Sequence, residues 1–245
     1  MEHNLKSPVI LKYSMPDGSL AVEMIRLSGG TFTRINDAGE PVGEVEVSDF
    51  SMGRYAVTFA QYDRFAQVTS RKLPGACGWG RRNRPTMKVS WFDATAYAQW
   101  LSDMTGEDFR LPTEAEWEHA CRAGTKTDYS FGENITKEQA NFDRTHNKTM
   151  PVGSYQPNPF GLYEMHGNVW EWCSDWYDEY PTGKAKDPKG PNNGKFRVLR
   201  GGSWFVNAGL TRSTSRACDE PGERDHSRGF RLAGGRQIST TTRSG

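Results

Sequence analysis

Gly161-Leu162-Tyr163-Glu164-Met165-His166-Gly167-Asn168-Val169-Trp170-Glu171-Trp172-Cys173, then Arg197-Val198-Leu199-Arg200-Gly201-Gly202-Ser203-Trp204, then Arg228-Gly229-Phe230-Arg231-Leu232: these three runs decide the reading of the chain. All are dense in Gly, Trp and other aromatic residues, a composition for tight turns and heavy packing. Between Trp204 and Arg228 the chain changes character and becomes small, mixed and mostly polar. That inner segment is a catalytic loop, a ligand-reading loop or plain surface, and the rest of the sequence has to say which.

Outward from these runs the chain behaves as one unit. Its 245 residues are long enough to bury a sizeable core. Only 35% are hydrophobic but 12% are aromatic, so the core is built from few, large side chains. The 26 Gly and 13 Pro call for many turns and short elements. A net charge of +1 with interspersed signs gives no electrostatic case for nucleic acid or a membrane surface as a partner. No apolar run is long enough to span a bilayer. The first twenty residues hold no apolar signal core, so the expectation is a cytoplasmic product, or one displayed on a cell surface or virion by a route the sequence does not reveal. Cys77, Cys121, Cys173 and Cys218 form no CxxC pair and read as free thiols.

Three helices are expected. Thr58 caps Phe59 to Val68, with Tyr62 and Phe65 on one face. Ser90 caps Trp91 to Met104, with Ala94, Tyr97, Ala98 and Leu101 as the apolar stripe and Gly106 at the stop. Thr113 and Glu116 form a capping box for a helix reaching about Ala123. Glu114, Glu116 and Glu118 on that helix read as cap and solvated face. Val22–Leu27 alternates as a strand, and the turn Ser28-Gly29-Gly30 followed by Thr31–Thr33 suggests a hairpin. Gly43–Phe50 alternates with period two. Residues 1–21 read as a leader, 22–234 as one domain and 235–245 as a frayed Ser/Thr-rich tail. Tyr129 to Phe160 is long, helix-free and rich in Asn, Gly, Pro and Thr, a length at which bound ions or functional contacts are expected.

Taken together, Met24–Phe32, Val45–Thr58, Val89-Ser90-Trp91, Arg110-Leu111-Pro112-Thr113-Glu114-Ala115-Glu116-Trp117-Glu118 and the three opening runs are spaced as in the formylglycine-generating enzyme (sulfatase-modifying factor) family. The resemblance covers about Val22 to Ala233. It implies an α+β fold, the formylglycine-generating-enzyme-like variant of the C-type lectin fold. Two to three helices, short antiparallel strands and much irregular chain come with it.

The activity carries over less easily. Family members that oxidise a sulfatase cysteine use two copper-binding cysteines shortly after the Gly-Gly-Ser-aromatic motif. Here those positions hold Val206 and Thr211, and neither can supply the thiolate that copper(I) prefers. A second relative, the sulfoxide synthase of ergothioneine-type pathways, uses a three-His iron site. His3, His119, His146, His166 and His226 contain no helical i, i+4 pair, so no iron site is expected and His166 reads as structural. The family also implies a structural calcium held by the Gly167 and Val169 carbonyls with Glu171 and Glu164. The competing reading is a tight turn whose polar side chains bond the backbone. No other cofactor is expected.

The inner segment also resembles the variable region, here about 204–232, of diversity-generating retroelement proteins. There C-type lectin folds carry randomised positions ahead of a Gly-Phe-Arg-Leu ending. Randomised Asn codons become NNY codons, which never encode Met, Trp, Gln, Lys or Glu. The candidate positions are Phe205, Val206, Asn207, Gly209, Leu210, Ser215, Ala217, Cys218, Asp219, Gly222, Asp225, His226 and Ser227, and none is of a forbidden type. Arg212, Arg216 and Arg224 read as framework, because a guanidinium can lock a loop through paired hydrogen bonds. The first expectation is therefore a non-catalytic binding module whose ligand, a protein or other surface ligand, is met by these thirteen residues. The alternatives are an oxidoreductase of the same family, or an accessory domain of one, with a changed site, and an inactive scaffold.

Overall fold

The computed structural model describes residues 8–234. In chain order the elements are β1 (Val9–Ser14), β2 (Leu20–Leu27), β3 (Gly30–Ile35), β4 (Pro41–Val47), β5 (Phe50–Gly53), α1 (Phe59–Val68), α2 (Trp91–Thr105), β6 (Phe109–Arg110), α3 (Glu114–Arg122), β7 (Trp170–Trp176), β8 (Gly183–Lys186), β9 (Arg197–Arg200), β10 (Arg216–Asp219), β11 (Arg228–Gly229) and β12 (Ala233–Gly234). The expected α+β architecture, three helices among short strands and irregular chain, is what is found.

The helices begin where the sequence places them. Thr58, Ser90 and Thr113 each accept from the backbone N–H three residues on. Gln61, Asp93 and Glu116 reach back to the cap N–H, so all three ends carry complete capping boxes. Gly106 ends α2 in the left-handed region at φ 72°.

The strands form three sheets, ordered β1-β2-β5-β12-β6, β10-β9-β7-β11 and β3-β4-β8. This corrects two expectations. The strands on either side of Ser28-Gly29-Gly30 do not form a hairpin: β2 pairs with β1 and β5, whereas β3 pairs with β4. The run Gly43–Phe50 is likewise broken at Ser48-Asp49, leaving β4 and β5 in different sheets. Both crossings happen at one place. A Cβ on Gly29 would lie 2.2 Å from the Val47 carbonyl oxygen, and the Gly29 N–H donates to Asp49 Oδ1 at 2.8 Å. Only glycine lets two chains change sheets in such close contact. A third difference is at the start of the chain. Val9–Ser14, read as leader, is an edge strand antiparallel to β2. Residues 1–7 and the expected tail 235–245 lie outside the described residues.

The core is aromatic, as the composition implies. Tyr62 and Tyr97 meet Phe230 of the last opening run, with ring centroids 5.5 Å apart for Tyr97–Phe230 and 6.4 Å for Tyr62–Phe230, and Phe65 packs against both tyrosines. Full burial of each such ring contributes about 1.5–3 kcal/mol. A second cluster joins Trp117 of α3 to Ile25, Met52, Cys173 and Val198. The three opening runs thus bind helices to sheets, and they fix where the segment between Trp204 and Arg228 emerges. No described helix is long and apolar enough to cross a membrane.

Candidate functional site

Two buried guanidinium groups flank the inner segment. Arg200, fully buried on β9, donates through Nη2 to Glu118 Oε2 at 2.8 Å and to the Ser213 carbonyl at 2.7 Å. Through Nη1 it donates to the carbonyls of Thr214 and Ser215. Arg231 grips Glu171 with Nε and Nη2, at 2.6 and 2.8 Å, and the Gly53 and Tyr163 carbonyls with Nη1 and Nη2. Paired geometry of this kind fixes position as well as charge. Glu114 accepts from Arg216 and from the Tyr180 hydroxyl, and Glu118 also pairs with Arg122. Glu114, Glu116 and Glu118 are therefore buried, not a solvated face. Burial alone would raise the Glu114 carboxyl, but Arg200 and Arg216 hold it below the usual range. Arg216 is framework as expected. Arg212 forms an exposed pair with Asp128, which contributes little, whereas Arg224 meets Asp93, the half-buried capping-box residue of α2, at 2.8 Å.

Between these anchors, Asn207 accepts from the Leu210 N–H and starts a 3-10 turn over Ala208–Thr211. Ser215 closes that turn by donating to the Gly209 carbonyl at 2.7 Å. Ala217, Cys218 and Asp219 lie on β10, paired with Leu199, Val198 and Arg197 of β9. Asp219 meets Arg228 in an ion pair. Asp225 accepts from the Ser227 N–H at 2.9 Å and contacts His226 Nδ1 at 2.9 Å. Burial would raise the Asp225 carboxyl, but these hydrogen bonds hold it low.

The thirteen candidates divide by exposure. Asn207, Leu210 and Gly222 are exposed; Phe205, Gly209, Ser215, Ala217, Cys218, Asp219, Asp225 and His226 are half-buried. Val206 and Ser227 are not on the surface. Val206 packs into the aromatic core, and the Ser227 carbonyl accepts the Trp170 N–H that tethers β7. A ring cluster stands out. Phe205 and His226 stack at 5.9 Å with planes 7° apart, Trp204 lies against both, and Trp79 meets Trp204 edge-on at 5.2 Å. Trp79 comes from the loop 71–84, which lies between α1 and α2.

The implied metal positions can be tested on their neighbours. Thr211 is buried, its hydroxyl donates to the Ala208 carbonyl, and its own carbonyl lies 2.7 Å from His166 Nδ1. With an apolar Val206 buried in the core at the other position, this pair does not fit a copper centre. Glu171 does not fit calcium as it stands. Arg231 and Trp117 Nε1 take up its carboxylate, so a cation would first have to displace Arg231. Glu164 faces a different place, a small cleft shared with Ser130, Asn158 and His166. There it accepts the Gly153 N–H at 3.1 Å, and burial pushes its carboxyl up to about 7. Asn141 Oδ1 is buried and uncommitted, but one neutral oxygen does not make a site for an ion that takes six to eight. Among the described residues, no group of three or more His, Cys, Asp or Glu could hold a metal. His166 is structural: Nδ1 meets the Thr211 carbonyl, Nε2 accepts the Ser130 N–H, and burial lowers its pKa to about 4.

A C-type-lectin-like scaffold with a clamped C-terminal loop defines the class. Within it, the chain belongs to the sulfatase-modifying factor enzyme 1-like domain family, whose model matches residues 14–235. It is 39% identical to the formylglycine-generating enzyme of Streptomyces coelicolor over 85% of this chain and 88% of that one. It is also 34% identical to the serine/threonine-protein kinase pkn1 of Chlamydia caviae over 94% of this chain, but it spans only 42% of that protein's length. Among solved structures, PvdO from Pseudomonas aeruginosa superposes with a TM-score of 0.82 at 28% identity, over 94% of this chain and 100% of that one. Treponema denticola variable protein 1 superposes with a TM-score of 0.79 at 29% identity, over 93% and 99%. Relatives thus include both enzymes of the family and a variable protein.

Proposed function

We propose that this chain is a ligand-binding member of the family rather than a cysteine oxidase. Its segment 205–227 is a recognition surface, diversified by a retroelement to meet varied ligands, proteins foremost. The observation that carries the reading is the pair Val206 and Thr211. Both stand where the family's copper chemistry needs thiolates, and both are committed to the frame, one in the core and one in a turn under His166. The likeness to variable protein 1 supports the same reading. So does the clamp by Arg200 and Arg216, because a surface that accepts many side chains needs its backbone fixed by groups that do not vary.

Two observations test it. The DNA encoding Trp204 to Leu232 is expected to have a near-copy, differing only at adenines, beside a reverse transcriptase gene; absence of both sinks the diversified-surface reading. The opposing reading, an active family oxidoreductase, draws on the 39% identity to the Streptomyces enzyme. Copper- or iron-dependent oxygen uptake with a cysteine-containing peptide would establish it, and none is expected.

A further inference from the structure

Four rings meet at one edge of the recognition segment. Trp79 touches Trp204 at 5.2 Å and His226 at 6.1 Å, and Phe205 and His226 stack beside them. Trp79, Phe205 and His226 are half-buried, so each presents part of its ring outward. Trp79 is brought there by a loop built for a fixed shape. Cys77, Gly78, Gly80 and Arg82 all have positive φ, and the Trp79 N–H closes a turn on the Ala76 carbonyl. Rigid rings of this kind lose little entropy on binding and commonly anchor protein interfaces.

The loop that carries Trp79 is basic, and, among the described residues, the one carboxylate seen against the rings is Asp225, which contacts His226. No Asp or Glu occurs between Asp63 and Asp93, a stretch that holds Arg71, Lys72, Arg81, Arg82, Arg84 and Lys88. Arg81 and Arg71 are answered by those two flanking aspartates. Among the described residues, Arg82, Lys88 and Arg144 have no ion-pair partner, and each is tied to the cluster. Arg82 follows Trp79 by three residues, the Lys88 N–H donates to the Asp225 carbonyl at 2.9 Å, and the Arg144 N–H donates to the Trp204 carbonyl at 2.7 Å. Asp143, the acid nearest Arg144 in sequence, lies against Lys137 at 3.5 Å.

We propose that Trp79, outside the variable segment, is a fixed part of the binding face. With Phe205 and His226 it forms a platform for a protein segment bearing an aromatic or apolar side chain flanked by carboxylates, which Arg82, Lys88 and Arg144 would meet. The inference rests on the reading of 205–227 as a recognition surface. Its ligand class follows from charge complementarity, since surplus cations around an apolar platform favour acidic partners and disfavour basic ones.

The test is to pan a phage-displayed random peptide library on the full chain and to use the selected peptides, synthesised, as probes. Enriched peptides are expected to carry Asp or Glu beside Trp, Tyr, Phe or Leu. Trp79→Ala should weaken them about tenfold or more, Trp79→Phe by less, and Arg82→Glu with Arg144→Glu should weaken them and reduce the salt dependence. Circular dichroism checks folding, and should Trp79→Ala not fold, the Arg82→Glu/Arg144→Glu pair decides. Peptides that lose binding with His226→Ala but ignore Trp79→Ala and the charge reversals overturn this inference and leave the recognition reading standing. If no peptide is enriched, or if all are indifferent to His226→Ala and Phe205→Ala as well, both are overturned.

Discussion

Arg200 has no exposed surface and four acceptors around its guanidinium. Replacing it with Met leaves Glu118 with Arg122 alone and frees three carbonyls of the segment. Arg200→Met should cost about 3–5 kcal/mol in urea unfolding, and it should loosen residues 213–215 first in amide exchange. Asp175 gives a test of a different kind. Burial, with Glu114 nearby, pushes its carboxyl from 3.8 up to about 7, while the Glu114 N–H and the Ser174 hydroxyl donate to it. A carboxyl raised in the folded state holds its proton there after the unfolded chain has lost it, so folding stability falls as pH rises from about 4 to about 7. Asp175→Asn removes that slope. Melting temperatures of wild type and variant should therefore diverge in the variant's favour across this window, and parallel curves would refute the assignment. Neither role was legible from spacing. The glutamates after Pro112 read as a solvated face because nothing in a linear pattern shows that β9 and β10 bring Arg200 and Arg216 over them. In the sequence Arg216 reads as framework, whereas Arg200 reads only as part of a family motif.

At the scale of elements, local chemistry was readable and partner choice was not. Each helix start was visible because a cap acts within four residues, and all three boxes formed. Thr58→Ala should accordingly cost about 1 kcal/mol, read from thermal or urea unfolding. Strand pairing is different, since alternation marks a buried face without naming the neighbour. That is why a hairpin was expected at Ser28-Gly29-Gly30 where the chain changes sheet instead. Gly202 belongs to the turn that launches the segment. It has φ 76°, and an added Cβ would lie 2.5 Å from Thr211 Cγ2 and 2.9 Å from the Leu210 carbonyl oxygen. Gly202→Ala should therefore displace the 3-10 turn and destabilise by at least 1–3 kcal/mol, more than Thr58→Ala. Equal melting temperatures for the two variants would mean that displacing the turn costs no more than losing the cap.

The whole molecule separates into a frame and the segment it holds. The aromatic core, the Arg200 and Arg231 clamps and the two sheet-changing crossings form the frame, and family resemblance made its fold legible across nearly the whole chain. Eleven of the thirteen candidate positions between Trp204 and Arg228 are exposed or half-buried. Two members were misplaced: Val206 and Ser227 are buried, since a variable-looking stretch still has to dock on β7 and the core. Trp79 joins the segment only through the fold, because it lies more than a hundred residues away in sequence. The central claim is that the backbone of 205–227 is held by the frame and by the turn-making groups of Asn207, Ser215, Asp219 and Asp225, and not by its other exposed side chains. The direct measurement is a display library with NNY codons at Phe205, Leu210, Ala217, Cys218, Gly222 and His226, sorted for folded protein by thermal challenge. Val206, Ser227 and Arg200 are randomised in parallel. The account predicts that most sequences in the first set survive near the wild-type melting temperature while the parallel set collapses. Collapse of the first set to near-wild-type sequences would contradict it.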